Sequence, residues 1–210
     1  MNELMTRSLT GVVFVSIVVF ATTFNLISAS VLWAVVLVIG LKEYRKLKGS
    51  PLGYFFITIA VLSVWAMGRP FDVLSGLISH YKGWDVVAFL TWIWANDTCA
   101  FLGGRMFGKT FIKKGLAPQA SPNKSWEGAF FGAVGATSVG WIWMGVEGAF
   151  LGVLTGILST LGDLVQSTLK RRADVKDSGT LLPGHGGVLD RFDGLLIAAP
   201  VVLMIRAFIL

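Results

Sequence analysis

Charged residues are scarce in this sequence. Only 14% of its 210 residues are Asp, Glu, Lys or Arg, while 54% are hydrophobic, and the mean hydropathy is +0.72. A soluble domain carries about 25% charged residues, so the composition excludes an ordinary soluble protein. The apolar residues form continuous runs close to the roughly 20 residues that a helix needs to cross a bilayer, and they do not alternate as in a barrel. We therefore predict an all-α fold, a polytopic integral membrane helical bundle.

Cysteine is nearly absent as well. The single cysteine, Cys99, excludes an intrachain disulfide and cannot build a cysteine metal site, so we interpret it as a packing residue. The sequence also lacks the pattern of a cleaved signal peptide, because its first apolar run, from about Leu9 to Ser28, is longer than the core of such a peptide. We expect that run to be a retained span.

The apolar runs predict about seven transmembrane helices. They lie at roughly 9–28, 30–41, 53–68, 84–103, 127–146, 148–169 and 194–210. With a cytoplasmic N-terminus, 15 of the 18 Lys and Arg residues fall in cytoplasmic segments, and only Arg69, Lys82 and Arg206 fall outside. Cytoplasmic loops are enriched in Lys and Arg, so we expect the N-terminus inside and the C-terminus outside.

The segment 162–172 combines an apolar helix with polar residues at helical spacing. Asp163, Ser167 and Lys170 stand at i, i+4 and i+7, so a helix places them on one face. A carboxylate at the centre of a span costs roughly 2.5–3.5 kcal/mol, so Asp163 should face a cavity and have a partner. A pairing with a lysine that only packs helices is the alternative interpretation.

The segment 176–193 follows directly and is rich in glycine and aspartate. Three glycines surround His185 and let the backbone approach a ligand closely. Mg²⁺ prefers one or two carboxylates with phosphates and water, and Asp163 and Asp190 could meet across this loop to supply them. Basic residues nearby could neutralise phosphate groups; they are Lys170, Arg171, Arg172, Lys176 and Arg191.

A third set of polar residues lies upstream. Asn96 and Asp97 interrupt an apolar run and should point into the bundle. Further on, Gly104–Lys109 and Ser121–Gly128 flank the other long basic loop, and the second of these leads into a predicted helix at Glu127. A helix N-terminus suits phosphate contact, although Glu127 itself also has a plain helix-dipole explanation.

These segments resemble the motifs of the phosphatidate cytidylyltransferase family, in the same order. The signature part reads Ser167-x-Leu169-Lys170-Arg171, then Lys176-Asp177-x-Gly179, then Leu182-Pro183-x-His185-Gly186-Gly187-Val188-x-Asp190-Arg191-Phe192-Asp193. The upstream parts are Asn96-Asp97-Thr98, Gly104-Arg105, Gly108-Lys109 and Ser121-Pro122-x-Lys124-x-Trp126-Glu127-Gly128. The resemblance covers roughly residues 92–194.

The resemblance implies that a lipid phosphate attacks the α-phosphorus of CTP and that pyrophosphate leaves. It implies Asp163 and Asp190 as ligands of Mg²⁺, with Asp177 as a further candidate ligand and a monovalent cation as a candidate second ion. The catalytic residues that it implies are Asp163, Lys170, Asp190 and His185. The substrate-binding residues that it implies are Asn96, Asp97, Arg105, Lys109, Ser121, Lys124, Ser167, Arg171, Lys176, Gly186, Gly187 and Arg191.

The expected partners follow from the same resemblance, and the expected membrane follows from the compact chain without a targeting extension. We expect CTP, phosphatidic acid and membrane lipids as partners, no nucleic acid, a homodimer as a candidate assembly, and a bacterial inner membrane with the active site facing the cytoplasm. We divide the chain into N-terminal transmembrane helices over 1–91 and a catalytic transmembrane region over 92–210, with cytoplasmic loops 104–126 and 170–193. Two alternatives stay open: a transporter in which Asp97 and Asp163 bind ions, and a CTP-dependent transferase or kinase acting on another lipid.

Overall fold

The protein is described by a computed structural model that covers residues 3–69, 71–72, 77–78, 80–181 and 186–208. The regular secondary structure of the described residues is helical, apart from one small antiparallel pair of strands, in which Phe71 pairs with Ile78 and Asp72 with Leu77, and one isolated bridge between Ala117 and Ser121. The helices are α1 (Glu3–Phe24), α2 (Leu26–Lys46), α3 (Pro51–Met67), α4 (Gly83–Phe107), α5 (Trp126–Arg172) and α6 (Leu195–Phe208), and the strands are β1 (Phe71–Asp72) and β2 (Leu77–Ile78). The predicted all-α class is confirmed.

Helix α5 is a hairpin of two arms. Met144 and Gly145 have non-helical backbone angles, and Gly145 has a φ of 62°. The arms 126–143 and 146–172 then run antiparallel in contact, since a Cβ atom added to Gly140 would lie 2.0 Å from the carbonyl oxygen of Gly148. Small residues let helix backbones approach this closely in membranes. Each arm corresponds to one of the predicted apolar runs.

The helices alternate in direction between two ends of the bundle. At one end α2 and α4 finish, α5 starts and finishes, and α6 starts; we name this the basic end. It carries Lys42, Arg45, Lys46, Lys48, Arg105, Lys109, Lys113, Lys114, Lys124, Lys170, Arg171, Arg172, Lys176 and Arg191.

Contacts at the opposite end fix the alternation. The Tyr81 hydroxyl donates to the carbonyl of Thr22 near the end of α1. Arg206, near the end of α6, donates to Asp85 at the start of α4 with an Nη2–Oδ2 distance of 2.9 Å. These contacts bring helix starts and helix ends together, as in an up-and-down bundle with short connections.

Three helices are long and apolar enough to cross a membrane, and the shorter ones are apolar too. The long ones are Leu26–Lys46, Gly83–Phe107 and Trp126–Arg172; the shorter apolar segments are Ser8–Phe24, Pro51–Met67 and Leu195–Phe208. Large hydrophobic side chains face outwards along them, such as Phe20, Ile27 and Ile142. An outer surface of this kind suits hydrocarbon rather than water, so the chain is a multi-pass membrane protein.

One hydrophobic core joins the first helices to the last. Phe192, between α5 and α6, packs against Phe14 of α1 and Trp33 of α2, with both ring centroids at 5.6 Å. A smaller cluster of Tyr44, Leu47, Ile57 and Leu189 lies beside it at the basic end. The division at residues 91 and 92 stays a prediction, and side chains from both parts share this core.

The hairpin contact generates a prediction for the free energy of unfolding. Gly148→Ala should lower the Tm of the detergent-solubilised protein by about 3–10 °C, because its Cβ would lie 2.1 Å from the Gly140 carbonyl oxygen, and overpacking costs about 1–3 kcal/mol. Gly40→Ala is the matched control in α2, where the nearest side-chain atom is 3.8 Å away. It should leave the Tm unchanged or raise it, since alanine favours a helix. Equal Tm values for the two variants would contradict the hairpin contact.

Candidate active site

The candidate site lies at the basic end, where two connections meet the helix ends. The first connection joins α4 to α5 through residues 108–125, and the second joins α5 to α6 through residues 173–194. The last turns of α5 stand between them, since Arg171 reaches the Ala120 carbonyl with an Nε–O distance of 3.4 Å. Most of the motif residues predicted from the sequence are therefore brought to one end of the molecule.

Asp163 lies on α5 facing the first connection. Its Oδ1 atom accepts a hydrogen bond from the Ser167 hydroxyl, at 3.1 Å, one turn further along the helix. Its Oδ2 atom accepts from the ammonium group of Lys124. Both side chains of this ion pair remain between a quarter and a third exposed, at 28% and 29%. Asp163 therefore has a partner, and because that partner is a lysine, the contact fits both a site residue and the alternative of a pair that serves packing.

Asp190 is the most enclosed ion-pair carboxylate of the site. Its Oδ1 atom lies 2.8 Å from the Nζ atom of Lys170, and its Oδ2 atom accepts backbone N–H bonds from Ser178 at 2.8 Å and Gly187 at 2.9 Å. Burial alone would raise the pKa of Asp190, but the bonds from Lys170, Gly187 and Ser178 hold that pKa below its usual value. Asp190 is therefore an anion at neutral pH.

Glycine at position 186 is required by this arrangement. Gly186 has a φ of 83°, which residues with a side chain rarely adopt. A Cβ atom there would lie 2.8 Å from Oδ2 of Asp190 and 3.3 Å from Oδ1 of Asp177. The Asp177 and Asp190 carboxylates thus approach the same glycine. His185, predicted as catalytic, lies outside the described residues, as do Leu182, Pro183 and Gly184.

A cavity of about 380 Å³, lined by polar and apolar residues, opens beside Asp163; we name it the polar cavity after the charged side chains in its wall. Asn96 is buried on α4 and donates to the Asp97 carboxylate at 3.3 Å and to the Thr160 hydroxyl at 3.4 Å. Its Oδ1 atom is buried with no hydrogen-bond partner among the described residues. Predicted site residues supply most of the polar lining of the cavity, namely Asn96, Asp97, Arg105, Lys124 and Asp163.

Glu127 organises the first connection. Its carboxylate accepts backbone N–H bonds from Lys109 at 3.1 Å, Phe111 at 2.9 Å and Ile112 at 2.8 Å. The helix-dipole interpretation of Glu127 did not predict this role, because it depends on the first connection folding back over the start of α5. Lys109, with a φ of 62°, also donates its ammonium group to the Pro122 carbonyl at 3.0 Å.

The remaining predicted residues lie around this centre. Ser121 forms backbone bonds with Ala117 and Lys124 that shape the first connection. Arg105, Lys176 and Arg191 are exposed at the basic end, where they can reach anionic groups. Asp163 and Asp190 have different lysine partners, and their joint ligation of one metal stays a prediction.

Two acidic residues that the sequence reasoning did not assign belong to the site. Glu43 of α2 is buried and bonds to the second connection. Asp193 lies near Asp163 and Asp97, and burial together with those two negative charges raises the pKa of its carboxyl to about 8. In the sequence, the Asp-x-x-Asp spacing of Asp190 and Asp193 could have indicated Asp193. The only sequence feature that could have indicated Glu43 is its position at the end of an apolar run.

The carboxylates of the site could hold Mg²⁺ if substrate phosphates and water completed its coordination. Among the residues that the structure describes, no group of three or more His, Cys, Asp or Glu side chains is arranged to hold a metal ion. Mg²⁺ is commonly held by one or two carboxylates, with substrate phosphates and water as the other ligands. Asp97 and Asp163 lie close enough to Asp193 to raise the pKa of its carboxyl, and a divalent cation would relieve this crowding of acidic groups.

Comparison with known proteins extends the resemblance over more of the chain. Residues 52–209 match the cytidylyltransferase family. The chain is 44% identical over 118 residues to a phosphatidate cytidylyltransferase of Synechocystis sp., an alignment that covers 52% of this chain and 39% of that protein. It is 36% identical over 182 residues to a phosphatidate cytidylyltransferase of Brucella suis, covering 83% of this chain and 62% of that protein.

A plant relative gives the same picture. A chloroplastic phosphatidate cytidylyltransferase of Arabidopsis thaliana is 40% identical over 150 residues, covering 67% of this chain and 36% of that protein. The chain thus spans between about a third and two thirds of the length of these relatives. The match over 158 residues, counted from 52 to 209, confirms the resemblance drawn from the motifs: the chain belongs to the cytidylyltransferase family.

Proposed function

We propose that the chain transfers the cytidylyl group of CTP to phosphatidic acid, which yields CDP-diacylglycerol and pyrophosphate. The observation that carries the proposal is the Lys170–Asp190 pair at the basic end, held by the backbone of Ser178 and Gly187 inside the signature segment. Three relatives whose names state this activity support it at 36–44% identity.

The residues present fit a reaction between two anions. A phosphate monoester has its second pKa near 6, so the attacking lipid phosphate is already largely charged at neutral pH and needs no strong general base. The barrier lies in bringing negative groups together and stabilising the charge that develops on pyrophosphate. Lys124 and Lys170 lie beside carboxylates at the centre, and Arg105, Lys176 and Arg191 lie exposed around it.

We assign Mg²⁺ to Asp163 and Asp190, with Asp177 as a further candidate ligand and a monovalent cation as a candidate companion. Each carboxylate oxygen has two lone pairs, so Oδ1 of Asp190 can accept a second partner beside Lys170. The ion would supply positive charge to the phosphates. Lys170, Ser167, Arg171 and Lys176 would orient those phosphates from the end of α5 and the following connection.

An apolar cleft provides room for an acyl chain. Its volume is about 670 Å³, and its lining includes Phe130, Val134, Val153, Ile157 and Leu161 from the two arms of α5. It shares Leu116, Ala129 and Thr160 with the polar cavity that Asp163 lines. A lipid can therefore keep a chain in the cleft while its phosphate reaches the polar cavity.

The positions of the basic residues support an orientation. The basic end holds nearly all of the described Lys and Arg residues, while Arg69, Lys82 and Arg206 lie towards the opposite end. By the positive-inside rule, seven helical segments cross the membrane with the N-terminus and the site on the cytoplasmic side. We assign the protein to a bacterial inner membrane, where CTP arrives from the cytoplasm, and a homodimer is the candidate assembly.

Replacing the two carboxylates tests the metal assignment. Asp163→Asn and Asp190→Asn should each lower the transfer of radiolabel from CTP to phosphatidic acid by about 10²–10³-fold, the usual loss of a charge-stabilising group. Asp174→Asn, an exposed aspartate in the second connection, is the matched control and should keep its activity.

The metal itself is tested with the same assay. Chelation of divalent cations should abolish transfer, and Mg²⁺ should restore it. Near-normal activity in either aspartate variant, with folded protein verified by its elution profile and Tm, would remove that residue from the metal site. Labelled product from an isoprenoid alcohol instead of phosphatidic acid would contradict the proposed substrate.

Filling the apolar cleft tests the lipid site. Ile157→Trp should raise the KM for phosphatidic acid in mixed micelles by about threefold to tenfold, about 0.7–1.4 kcal/mol of lost binding, and leave the KM for CTP unchanged. Ile142→Trp is the control, because Ile142 is 79% exposed near the turn of α5 and away from the cleft lining. An unchanged KM for the lipid in Ile157→Trp would contradict an acyl chain in the cleft.

A further inference from the structure

A buried carboxylate from the N-terminal helices reaches the signature segment. Glu43, near the end of α2, is 4% exposed. It accepts hydrogen bonds from the Ser178 hydroxyl at 3.1 Å, from the backbone N–H of Val188 at 3.0 Å and from that of Leu189 at 2.8 Å. Glu43 lies before residue 52, where the family match begins. Its contacts with the residues between Ser178 and Leu189 were not predicted from the sequence.

Glu43 and Asp190 hold the same two stretches of chain. Ser178 donates its hydroxyl to Glu43 and its backbone N–H to Asp190. On the other side of the loop, Gly187 donates to Asp190, while the next two N–H groups, of Val188 and Leu189, donate to Glu43. A shift of the backbone away from Glu43 would therefore also move the donors that orient the Asp190 carboxylate.

Two glycines of the signature segment are explained by this contact. A Cβ atom on Gly179 would lie 2.3 Å from Oε1 of Glu43, and one on Gly187 would lie 2.5 Å from Oε2. The sequence interpretation assigned Gly187 to the approach of a ligand. In the structure the group that approaches it is the Glu43 carboxylate of the protein itself, so the absence of a side chain there serves the bracing of the loop.

The chemistry of the contact calls for a carboxylate. Three donors converge on Glu43, and an ionised carboxylate offers acceptor sites only. A glutamine of the same shape would turn an NH₂ group towards one of the backbone N–H groups and leave that donor unpaired. Nearby, Tyr44, Leu47 and Ile57 already pack against Leu189 and anchor the loop by apolar contact. The specific contribution of Glu43 is thus the direction of the backbone N–H groups.

We propose that Glu43 is a positioning residue for cytidylyl transfer, which acts by fixing the backbone around Ser178 and Val188 so that Asp190 faces Lys170 in the reactive arrangement. The inference rests on the proposed function of the site. Glu43 touches neither the polar cavity nor the apolar cleft, so it should influence turnover rather than the binding of either substrate.

The kinetic test is Glu43→Gln, with Glu147→Gln as the matched control. The control makes the same substitution, glutamate to glutamine, at an exposed position beside the turn of α5. Glu43→Gln should lower kcat at least about tenfold, because small displacements of reacting groups cost that much or more, with KM for CTP and for phosphatidic acid within about threefold of the wild-type values. Glu147→Gln should match the wild type in both parameters.

A second readout does not depend on activity. Hydrogen exchange of the 210-residue chain in detergent should be faster at the amides of Val188 and Leu189 in Glu43→Gln and unchanged in Glu147→Gln. Ser178→Ala removes one of the three bonds to Glu43 and should show the same changes at smaller amplitude. This second variant keeps the test decisive if Glu43→Gln does not yield folded protein.

The outcomes separate the two proposals. Wild-type protein that transfers no label from CTP to phosphatidic acid overturns the proposed function, and the role of Glu43 in turnover with it. Active wild type with unchanged kcat per folded Glu43→Gln molecule overturns the positioning role alone, even where exchange is faster, since the contact would then be structural only. Unchanged exchange at Val188 and Leu189 overturns the bracing contact itself.

Discussion

The structure depends on keeping carboxylates paired at the end of an apolar bundle. A carboxylate taken out of water without partners is very unfavourable, and one that loses its partner destabilises the fold strongly. Here Asp163 is paired with Lys124, and Asp190 with Lys170 and two backbone N–H groups. Since each carboxylate binds a different stretch of chain, the set of pairings determines how both connections fold over the helix ends.

The same pairings suit the site to anionic substrates. In the structure Lys124 is paired with Asp163 and Lys170 with Asp190, so both ammonium groups already have a carboxylate partner without a bound nucleotide. Phosphates and a divalent cation bring opposite charges that can exchange with these partners. The arms of α5 line the apolar cleft that we propose for an acyl chain, and the last turns of the same helix carry polar residues of the site.

The sequence predicted the helices well because continuous apolar runs report directly on membrane thickness. Each of the seven runs lies mainly in one helix or one arm of α5, although the run 9–28 crosses the break at Asn25 into α2. The gap between the runs 127–146 and 148–169 falls close to the break at Met144 and Gly145. The contact of Ser167 with Asp163 follows from helical spacing alone. Glu43 could not be found this way, since its partner Val188 is 145 residues away and no local pattern links them.

Glu127 and Asp193 show a second limit of reasoning from local pattern. A helix-start glutamate has an ordinary dipole explanation, yet Glu127 binds three backbone N–H groups of a loop that returns over it. Asp193 was visible in the Asp-x-x-Asp spacing, but its environment is set by α4 and α5 together. Such roles depend on which elements pack side by side, and motif order alone does not contain that information.

The contacts of α2 with the signature segment mean that the N-terminal helices help to fix the loop that contains Asp190. A loop rich in glycine has little stiffness of its own, because glycine restricts the backbone least. Contacts with α2 restrain the loop, namely the hydrogen bonds to the Glu43 carboxylate and the packing of Tyr44 beside Leu189. The division at residues 91 and 92 separates helices with motifs from helices without them. The residues that hold Asp190 and its loop come from both sides of this division, so the position of Asp190 depends on the whole bundle.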